Sequence, residues 1–351
     1  MVKLNFSTTG IGSLPHHNVD AALQNAFNYD IPFLPQIPVK NPREYMIIQA
    51  LDGLPGLEMG DGGAVWVNES VWQNEGESYE ARLSEAVQAH RYDAFEPTQE
   101  AYSAWRGFLF ELDERETRVA KVQLAGPMTC QWVLKTRGGQ LSDEVPGLSS
   151  AIFKLVLARS LAMVNELKQR QVLPIFYLDE PAFYGFTKTV AKHLIGITQL
   201  KLVIQTLQKE GAVVGLHCCS QTDWKTVLQL GLDIISLDSV LSMQPMVEED
   251  GFKAFILKGG TMSWGVVPTM RRTDIPSFSV PFAIAKFRSI LSVACAKHGL
   301  DFERLLREAI YTPACGLALH SIGEAERASA LLKEFVRLLP HGESSIRGQR
   351  E

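Results

Sequence analysis

The chain has 351 residues and a formal net charge of −5, from 34 basic and 39 acidic residues. This balance, with no basic stripe or polybasic arm, argues against nucleic acid and membrane surfaces as partners and favours a small-molecule substrate. The five cysteines are an odd number with unrelated spacings, which argues against a disulfide framework and favours reduced thiols. No apolar run is long enough for a leader or a span, so we expect a cytoplasmic protein without a membrane partner.

Short apolar runs typical of strands alternate with longer segments of helical periodicity along the chain. The predicted strands are 8–12, 33–38, 122–126, 174–179, 212–217, 233–238, 263–267 and 311–315, and the clearest predicted helices are 148–170, 190–209, 281–298 and 324–338. This alternation predicts parallel strands joined by helices, and eight such units predict an α/β protein with the (β/α)₈ TIM-barrel fold.

The predicted barrel is a single domain over residues 1–340. Residues from about 52 to 117 lie between the second and third predicted strands and form an expected insertion. The segment 341–351 is polar and is expected to be a frayed tail.

Polar residues cluster at the carboxyl ends of the predicted strands, where barrel enzymes place their active sites. His217 and Cys219 follow one apolar run, and Cys315 ends another. Side chains alternate along a strand, so His217 and Cys219 face the same side and Cys218 faces the other. Three such ligands with an open fourth position are typical of catalytic zinc. A buried histidine beside packed thiols is the alternative, and a kinked strand end could present Cys218 in place of Cys219.

Carboxylates and a glycine turn complete the predicted site. Asp179 follows an apolar strand and could bind a substrate ammonium group, or it could cap the next helix with its neighbour Glu180. Asp238 has three alternatives: a helix cap, a further metal ligand, or a residue that orients His217. Gly12 and Ser13 form a turn whose free N–H groups could hold a carboxylate.

These motifs together resemble the catalytic domain of cobalamin-independent methionine synthase. Similar motifs occur there in the same order as TTGIGSLP (8–15), LAGPMT (124–129), LDEPA (178–182), HCC (217–219) and PACGL (313–317) in this chain. The resemblance covers nearly the whole chain, and the combination is more specific than any one motif. Uroporphyrinogen decarboxylases and corrinoid-linked methyltransferases are similar barrels in the same broader group.

The resemblance implies a zinc-dependent enzyme of methionine biosynthesis that methylates homocysteine. It places Zn²⁺ on His217, Cys219 and Cys315. It also places the homocysteine carboxylate near Ile11, Gly12 and Ser13, and its amino group near Asp179. Asp179 and Asp238 are the predicted catalytic carboxylates.

This chain departs from the resembled family at two points. The family uses a glutamate as a further zinc ligand, whereas this chain offers Asp238, a shorter carboxylate. The full-length enzyme also has an N-terminal barrel that helps to bind folate, for which this chain has no room. We therefore expect methylcobalamin or a methylated corrinoid protein as the methyl donor. A uroporphyrinogen decarboxylase-like enzyme and a non-catalytic zinc- or thiol-binding protein remain as alternatives.

Overall fold

The computed structural model of the protein describes residues 5–60 and 63–341. Its strands are β1 (Ser7–Thr8), β2 (Leu57–Met59), β3 (Val65–Val67), β4 (Val119–Ala125), β5 (Lys135–Thr136), β6 (Leu173–Asp179), β7 (Val213–Cys218), β8 (Ile234–Asp238), β9 (Thr261–Val267) and β10 (Ile310–Pro313). Its α-helices are α1 (Val19–Ala26), α2 (Met46–Ala50), α3 (Glu69–Gln88), α4 (Trp105–Glu114), α5 (Pro127–Val133), α6 (Leu148–Gln169), α7 (Ala191–Lys209), α8 (Trp224–Val227), α9 (Ser239–Glu248), α10 (Gly251–Leu257), α11 (Val280–His298), α12 (Phe302–Arg307) and α13 (Ile322–Leu338).

A curled, seven-stranded parallel sheet is the centre of the fold. Its strands lie in the order β1-β10-β9-β8-β7-β6-β4, and every neighbouring pair is parallel. Helices connect these strands, as parallel pairing requires. The sheet and its helices are consistent with a TIM-like fold, and the predicted α/β class is confirmed at that level.

The second predicted strand, 33–38, is wrong as a regular strand. This segment lies between the two edges of the sheet and forms only isolated bridges, Phe33 to Lys121 and Ser13 to Gln36. Proline has no N–H to donate to a ladder, and positions 32, 35 and 38 are all proline. The first predicted strand is also shorter than expected, because β1 ends at Thr8. The other predicted strands and helices agree with the structure within a few residues.

The segment expected as an insertion contains β2, β3, α3 and α4. β2 and β3 pair antiparallel, and β5 extends them into a small sheet that the sequence did not predict. α3 packs along α6, where Lys154 forms an ion pair with Glu80 at 2.7 Å. The Trp72 indole of α3 also donates to the Pro146 carbonyl, just before α6, at 3.0 Å. The predicted tail, apart from His341, lies outside the described residues.

Two apolar layers surround the strands. One large cluster packs the helices against the outer face of the sheet. A smaller cluster lies within the curl of the sheet and contains Ile31, which is outside the strands, and the strand residues Ile175, Tyr177, Ile234 and Ile310. This inner layer is the apolar floor beneath the polar residues at the carboxyl ends of the strands.

One helix among the described residues, α6, has the length and apolar composition of a membrane span. Within the fold, 72% of its most apolar window is buried. Core helices have the same composition, and α6 packs against α3, α5 and β6. Its apolar surface is therefore accounted for by packing within the structure.

Candidate metal centre and substrate site

The three predicted metal ligands lie together at the carboxyl ends of β7 and β10. One ligand atom from each of His217, Cys219 and Cys315 lies within 4.8 Å of the other two. Cys218 faces the other side of β7, where its thiol is buried 3.6 Å from the Ser220 carbonyl. The structure thus brings Cys219, and not Cys218, into the ligand group. Cys130 and Cys295 are buried free thiols outside this group.

The imidazole of His217 is oriented by the neighbouring strand. His217 Nδ1 lies 3.0 Å from the hydroxyl of Ser236, the residue paired with it in β8. The other ring nitrogen, Nε2, is buried and has no hydrogen-bond partner among the described residues. A histidine with one nitrogen held and the other free is in the state that metal ligation requires. The orienting residue is therefore Ser236, and not Asp238.

The two thiols of the ligand group interact with each other. The hydrogen bond with Cys315, together with His217, lowers the pKa of Cys219 to about 4. The same bond and burial raise the pKa of Cys315. Burial raises the pKa of Cys218 to about 11. The site therefore favours a thiolate on Cys219, and thiolates are the form of cysteine that binds metals.

The geometry of the three ligands fits a zinc ion. Zinc binds cysteine sulfur at about 2.3 Å and histidine nitrogen at about 2.0–2.1 Å, so tetrahedral ligand atoms lie about 3.6–3.8 Å apart. The observed upper limit of 4.8 Å requires only a small inward movement of the side chains. The unpartnered Nε2 of His217 and the thiolate-favouring Cys219 supply the donors. A zinc ion held by these three residues would have its fourth tetrahedral position open.

Asp179 lies beside the ligand group with an unused carboxylate oxygen. It ends β6 directly opposite His217 in the parallel register. The residue is 7% exposed, and its Oδ1 is buried without a hydrogen-bond partner among the described residues. Burial raises the pKa of Asp179 to about 6, although His217 and Lys121 act to lower it. An unpaired buried carboxylate is costly, so this position is suited to a cationic group of a ligand.

Two other carboxylates at the carboxyl ends of the strands form structural hydrogen bonds with helix N-termini. Asp238 Oδ1 caps α9 by accepting from the N–H groups of Val240 at 2.7 Å and Leu241 at 3.2 Å. Glu180 accepts from the N–H groups of Met128 and Thr129 at the start of α5. Asp238 does not belong to the three-ligand group, although Cys219 and His217 both influence its pKa, which burial raises. Its predicted role in catalysis stays a prediction.

The turn at Gly12 and Ser13 lies next to the Cys315 segment. The Ser13 carbonyl accepts from the Leu317 N–H at 2.8 Å, and a side chain at Gly316 would collide with the Ser13 hydroxyl. Gly12 has φ +154°, and a Cβ there would lie 2.7 Å from the Gln123 amide nitrogen. Neither the Gly12 nor the Ser13 N–H donates to another described residue. Two free N–H groups near the metal ligands can bind a carboxylate.

Four residues around the site were not identified from the sequence. Ser236 holds His217, Thr269 accepts from the Cys315 N–H at 3.0 Å, and Lys121 and Gln123 lie on the inner face of β4. A lysine and a glutamine alternating inside an otherwise apolar strand were a visible signal, because lysine is almost never fully buried without a partner. Ser236 and Thr269 carry no such signal.

Comparisons with known proteins add information about the fold. No model of a known protein family and no curated protein matches the sequence. Among solved structures, a methyltransferase from Methanosarcina mazei is similar, with a TM-score of 0.52 and 15% sequence identity. The similarity covers 94% of this chain and 93% of that chain. The chain therefore shares the fold of that protein over nearly its whole length.

Proposed function

We propose that the protein is a zinc-dependent methyltransferase that methylates the thiol of homocysteine to form methionine. The observation that carries this proposal is the group of His217, Cys219 and Cys315, with a buried, unpartnered histidine nitrogen. Three protein ligands would leave one position of a tetrahedral zinc ion for a further ligand. The fold shared with a methyltransferase is consistent with it. Redox-inactive zinc on three protein ligands suits activation of a substrate atom.

His217, Cys219 and Cys315 would hold the metal, with Ser236 fixing the imidazole. When bound, Zn²⁺ would lower the pKa of the substrate thiol and so favour its nucleophilic thiolate at neutral pH. The free N–H groups of Gly12 and Ser13 would bind the substrate carboxylate, with Ile11 positioning that turn. Together these contacts would fix the sulfur and the carboxylate at the two ends of the substrate.

The Oδ1 atom of Asp179 would accept from the substrate ammonium group, which compensates for its lack of a partner. This contact selects an amino acid over a simple thiol. Asp238 would act as a second negative charge beside the ligands while its other role, capping α9, keeps it in place.

The methyl donor in this proposal is methylcobalamin or a methylated corrinoid protein. In the transfer, a sulfur–carbon bond forms and the bond from cobalt to the methyl carbon breaks, with the electron pair staying on the corrinoid. The thiol proton is released to solvent. The reaction therefore needs no external oxidant or reductant, and it would take place in the cytoplasm.

We also propose that the curled sheet is closed into a barrel of eight units. Residues 31–36 bond to both edges of the sheet: the Ile31 N–H donates to the Thr8 carbonyl at 3.0 Å, and the Lys121 N–H donates to the Pro32 carbonyl at 2.8 Å. This segment would take the place of the eighth strand. The loops at the carboxyl ends of the strands would then encircle one pocket.

The direct test is methyl transfer from methylcobalamin to homocysteine, followed as methionine formed and as the loss of the methylcobalamin spectrum. We expect activity in zinc-loaded protein, loss after chelation, and recovery when zinc is returned. Activity that is indifferent to chelation would contradict zinc dependence. Methionine formation absent with both free methylcobalamin and a methylated corrinoid protein would favour the decarboxylase-like or non-catalytic alternatives.

A further inference from the structure

A fully buried lysine lies beneath the proposed substrate site. Lys121 is 0% exposed, and its Nζ donates to the Ile11 carbonyl at 2.6 Å and to Gln123 Oε1 at 2.8 Å. Its ammonium also lies 4.7 Å from the centre of the Tyr177 ring. No carboxylate of the described residues lies within ion-pair distance of it. Burying such a charge is unfavourable, and an apolar side chain would fill this position without that penalty.

The groups that Lys121 contacts belong to the proposed carboxylate-binding turn. It fixes the carbonyl of Ile11, and the N–H of Gly12 on the same trans peptide points the opposite way. Gln123, the second partner of Lys121, donates to the Leu34 carbonyl at 2.8 Å and packs under Gly12. The lysine and the glutamine therefore determine the orientation of the peptide between Ile11 and Gly12.

A cation on a peptide carbonyl also changes the other end of that peptide. Hydrogen bonding to the carbonyl polarises the amide, so its N–H becomes a stronger donor. The positive charge further attracts an anion bound on the opposite side, because attraction is stronger in a buried site than in water. Asp179 is the charged group that acts to raise the pKa of Lys121, which burial lowers to about 7.

We propose that Lys121 is a specificity-determining residue that makes the site select thiols bearing a carboxylate, by orienting and polarising the Ile11–Gly12 peptide that receives it. This inference rests on the proposed function. The ligand class is an amino acid with a side-chain thiol. Lys121 acts through Ile11 and Gly12, so it is a positioning residue and is not in contact with the reacting atoms.

A pair of ligands separates this role from a purely structural one. Homocysteine and 3-aminopropanethiol carry the same thiol and amine, and only homocysteine has the carboxylate. A structural lysine would affect the binding of both thiols equally. A lysine that acts on the carboxylate turn would affect homocysteine alone.

The experiment is calorimetric titration of zinc-loaded protein with each thiol, at a pH slightly below the lowered pKa of Lys121, for the wild type and Lys121→Met. We expect the wild type to prefer homocysteine by about tenfold or more, the value of one good charge-assisted contact. We expect the variant to lose most of that preference through weaker homocysteine binding, with 3-aminopropanethiol affinity and zinc content unchanged. An equal loss for both thiols, or an unchanged preference, would overturn the proposal.

A second variant covers the case in which Lys121→Met does not fold. Gln123→Met removes one acceptor of the ammonium, and we expect a smaller fall in the preference for homocysteine. An unchanged preference in folded Gln123→Met protein would then count against the proposal. Wild-type protein that binds both thiols equally overturns the carboxylate contact and with it the role of Lys121, whereas wild-type protein that binds neither thiol overturns the proposed thiol methyltransferase function.

Discussion

The ends of β7 and β8 are neighbours in the sheet, yet their polar side chains have different uses. After β7, a loop precedes α8, which begins only at Trp224, and the His217 Nε2 atom is left without a partner. After β8, α9 begins at once, and Asp238 is its N-cap. A strand-end side chain is free to bind a ligand when no helix terminus nearby requires it.

The end of β6 repeats this contrast in two adjacent residues. Asp179 faces the ligand group with one oxygen unpartnered, while Glu180 faces outward and holds the start of α5. Adjacent residues in extended backbone point to opposite faces. The Asp179 carboxylate therefore faces the site, and the Glu180 carboxylate faces the start of α5. Substitutions at the first kind of position should therefore affect metal or substrate binding, and substitutions at the second kind should affect stability.

The largest expected effect is on zinc retention, in a comparison of Cys219→Ser with Cys218→Ser. Cys219→Ser removes a thiolate ligand and should weaken zinc binding by about 100-fold or more, because only two protein ligands remain. Cys218→Ser is the matched control, since this thiol faces away from the group, and it should retain zinc. The measurement is competition with a chromophoric chelator. Zinc loss in Cys218→Ser with retention in Cys219→Ser would show that Cys218, and not Cys219, is the zinc ligand.

The next effect in size is on substrate affinity, in Asp179→Asn. We expect the KM for homocysteine to rise about tenfold or more, because an amide cannot pair with the ammonium as a carboxylate does. The zinc content should not change. Asp233→Asn is the control, since Asp233 accepts from the Val214 N–H and the Gln208 amide at the amino-terminal ends of β7 and β8, opposite the site. An unaltered KM in Asp179→Asn would remove this residue from the substrate site.

A smaller effect, on stability, is expected for Glu180→Gln. Burial raises the pKa of Glu180 from its ordinary value of 4.5 to about 7. The folded protein therefore holds this proton more tightly than the unfolded chain, and the resulting stability is complete below pH 4.5 and is lost as the pH rises to about 7.

The stability gap between wild type and Glu180→Gln should follow that window. We expect the variant to lose about 1–2 kcal/mol in unfolding free energy at acidic pH, with the gap shrinking as the pH approaches neutrality. Urea unfolding at several pH values measures the gap. A gap that is constant, or that grows with pH, would contradict the raised pKa.

The smallest expected effect is that of Asp238→Asn on stability. Asparagine caps helices as well as aspartate, so the unfolding free energy should stay within a few tenths of a kcal/mol, while Asp238→Ala should lose about 1 kcal/mol. Asp301 caps α12 in the same way through the Arg304 N–H and supplies a matched pair of variants away from the site.

The same variants test whether the charge of Asp238 serves the reaction. If it does, Asp238→Asn should slow methyl transfer several-fold and Asp301→Asn should not. Equal activity in both would limit Asp238 to capping.

Much of the fold could be predicted because its signals are local. The alternation of apolar strands and amphipathic helices gave the bounds of β6, β7 and α11 within two residues. The segment 33–38 could not be placed in the same way, because its prolines break the ladder while its apolar residues still pack as a strand would. The small sheet of β2, β3 and β5 depends on a pairing between distant short segments, for which the sequence has no periodic signal.

The same difference between local signals and long-range pairing applies to the residues of the candidate site. His217, Cys219 and Cys315 were predictable because side-chain alternation and strand ends determine where such residues point. The sequence did not decide the role of Asp238, because a cap and a ligand require the same residue type at the same place. Ser236 depended on the register between β7 and β8, and that register becomes visible only in the folded sheet.

X-ray absorption spectroscopy of the zinc-loaded protein, before and after addition of homocysteine, identifies the ligands of the metal and shows whether the substrate thiol binds it. We expect one zinc per chain bound by two sulfur atoms at about 2.3 Å and by nitrogen or oxygen, with a third sulfur appearing when homocysteine is added. Four protein ligands that remain unchanged on addition of the thiol would indicate a closed structural site. That result, or protein that binds no zinc, would rule out a catalytic zinc centre at His217, Cys219 and Cys315.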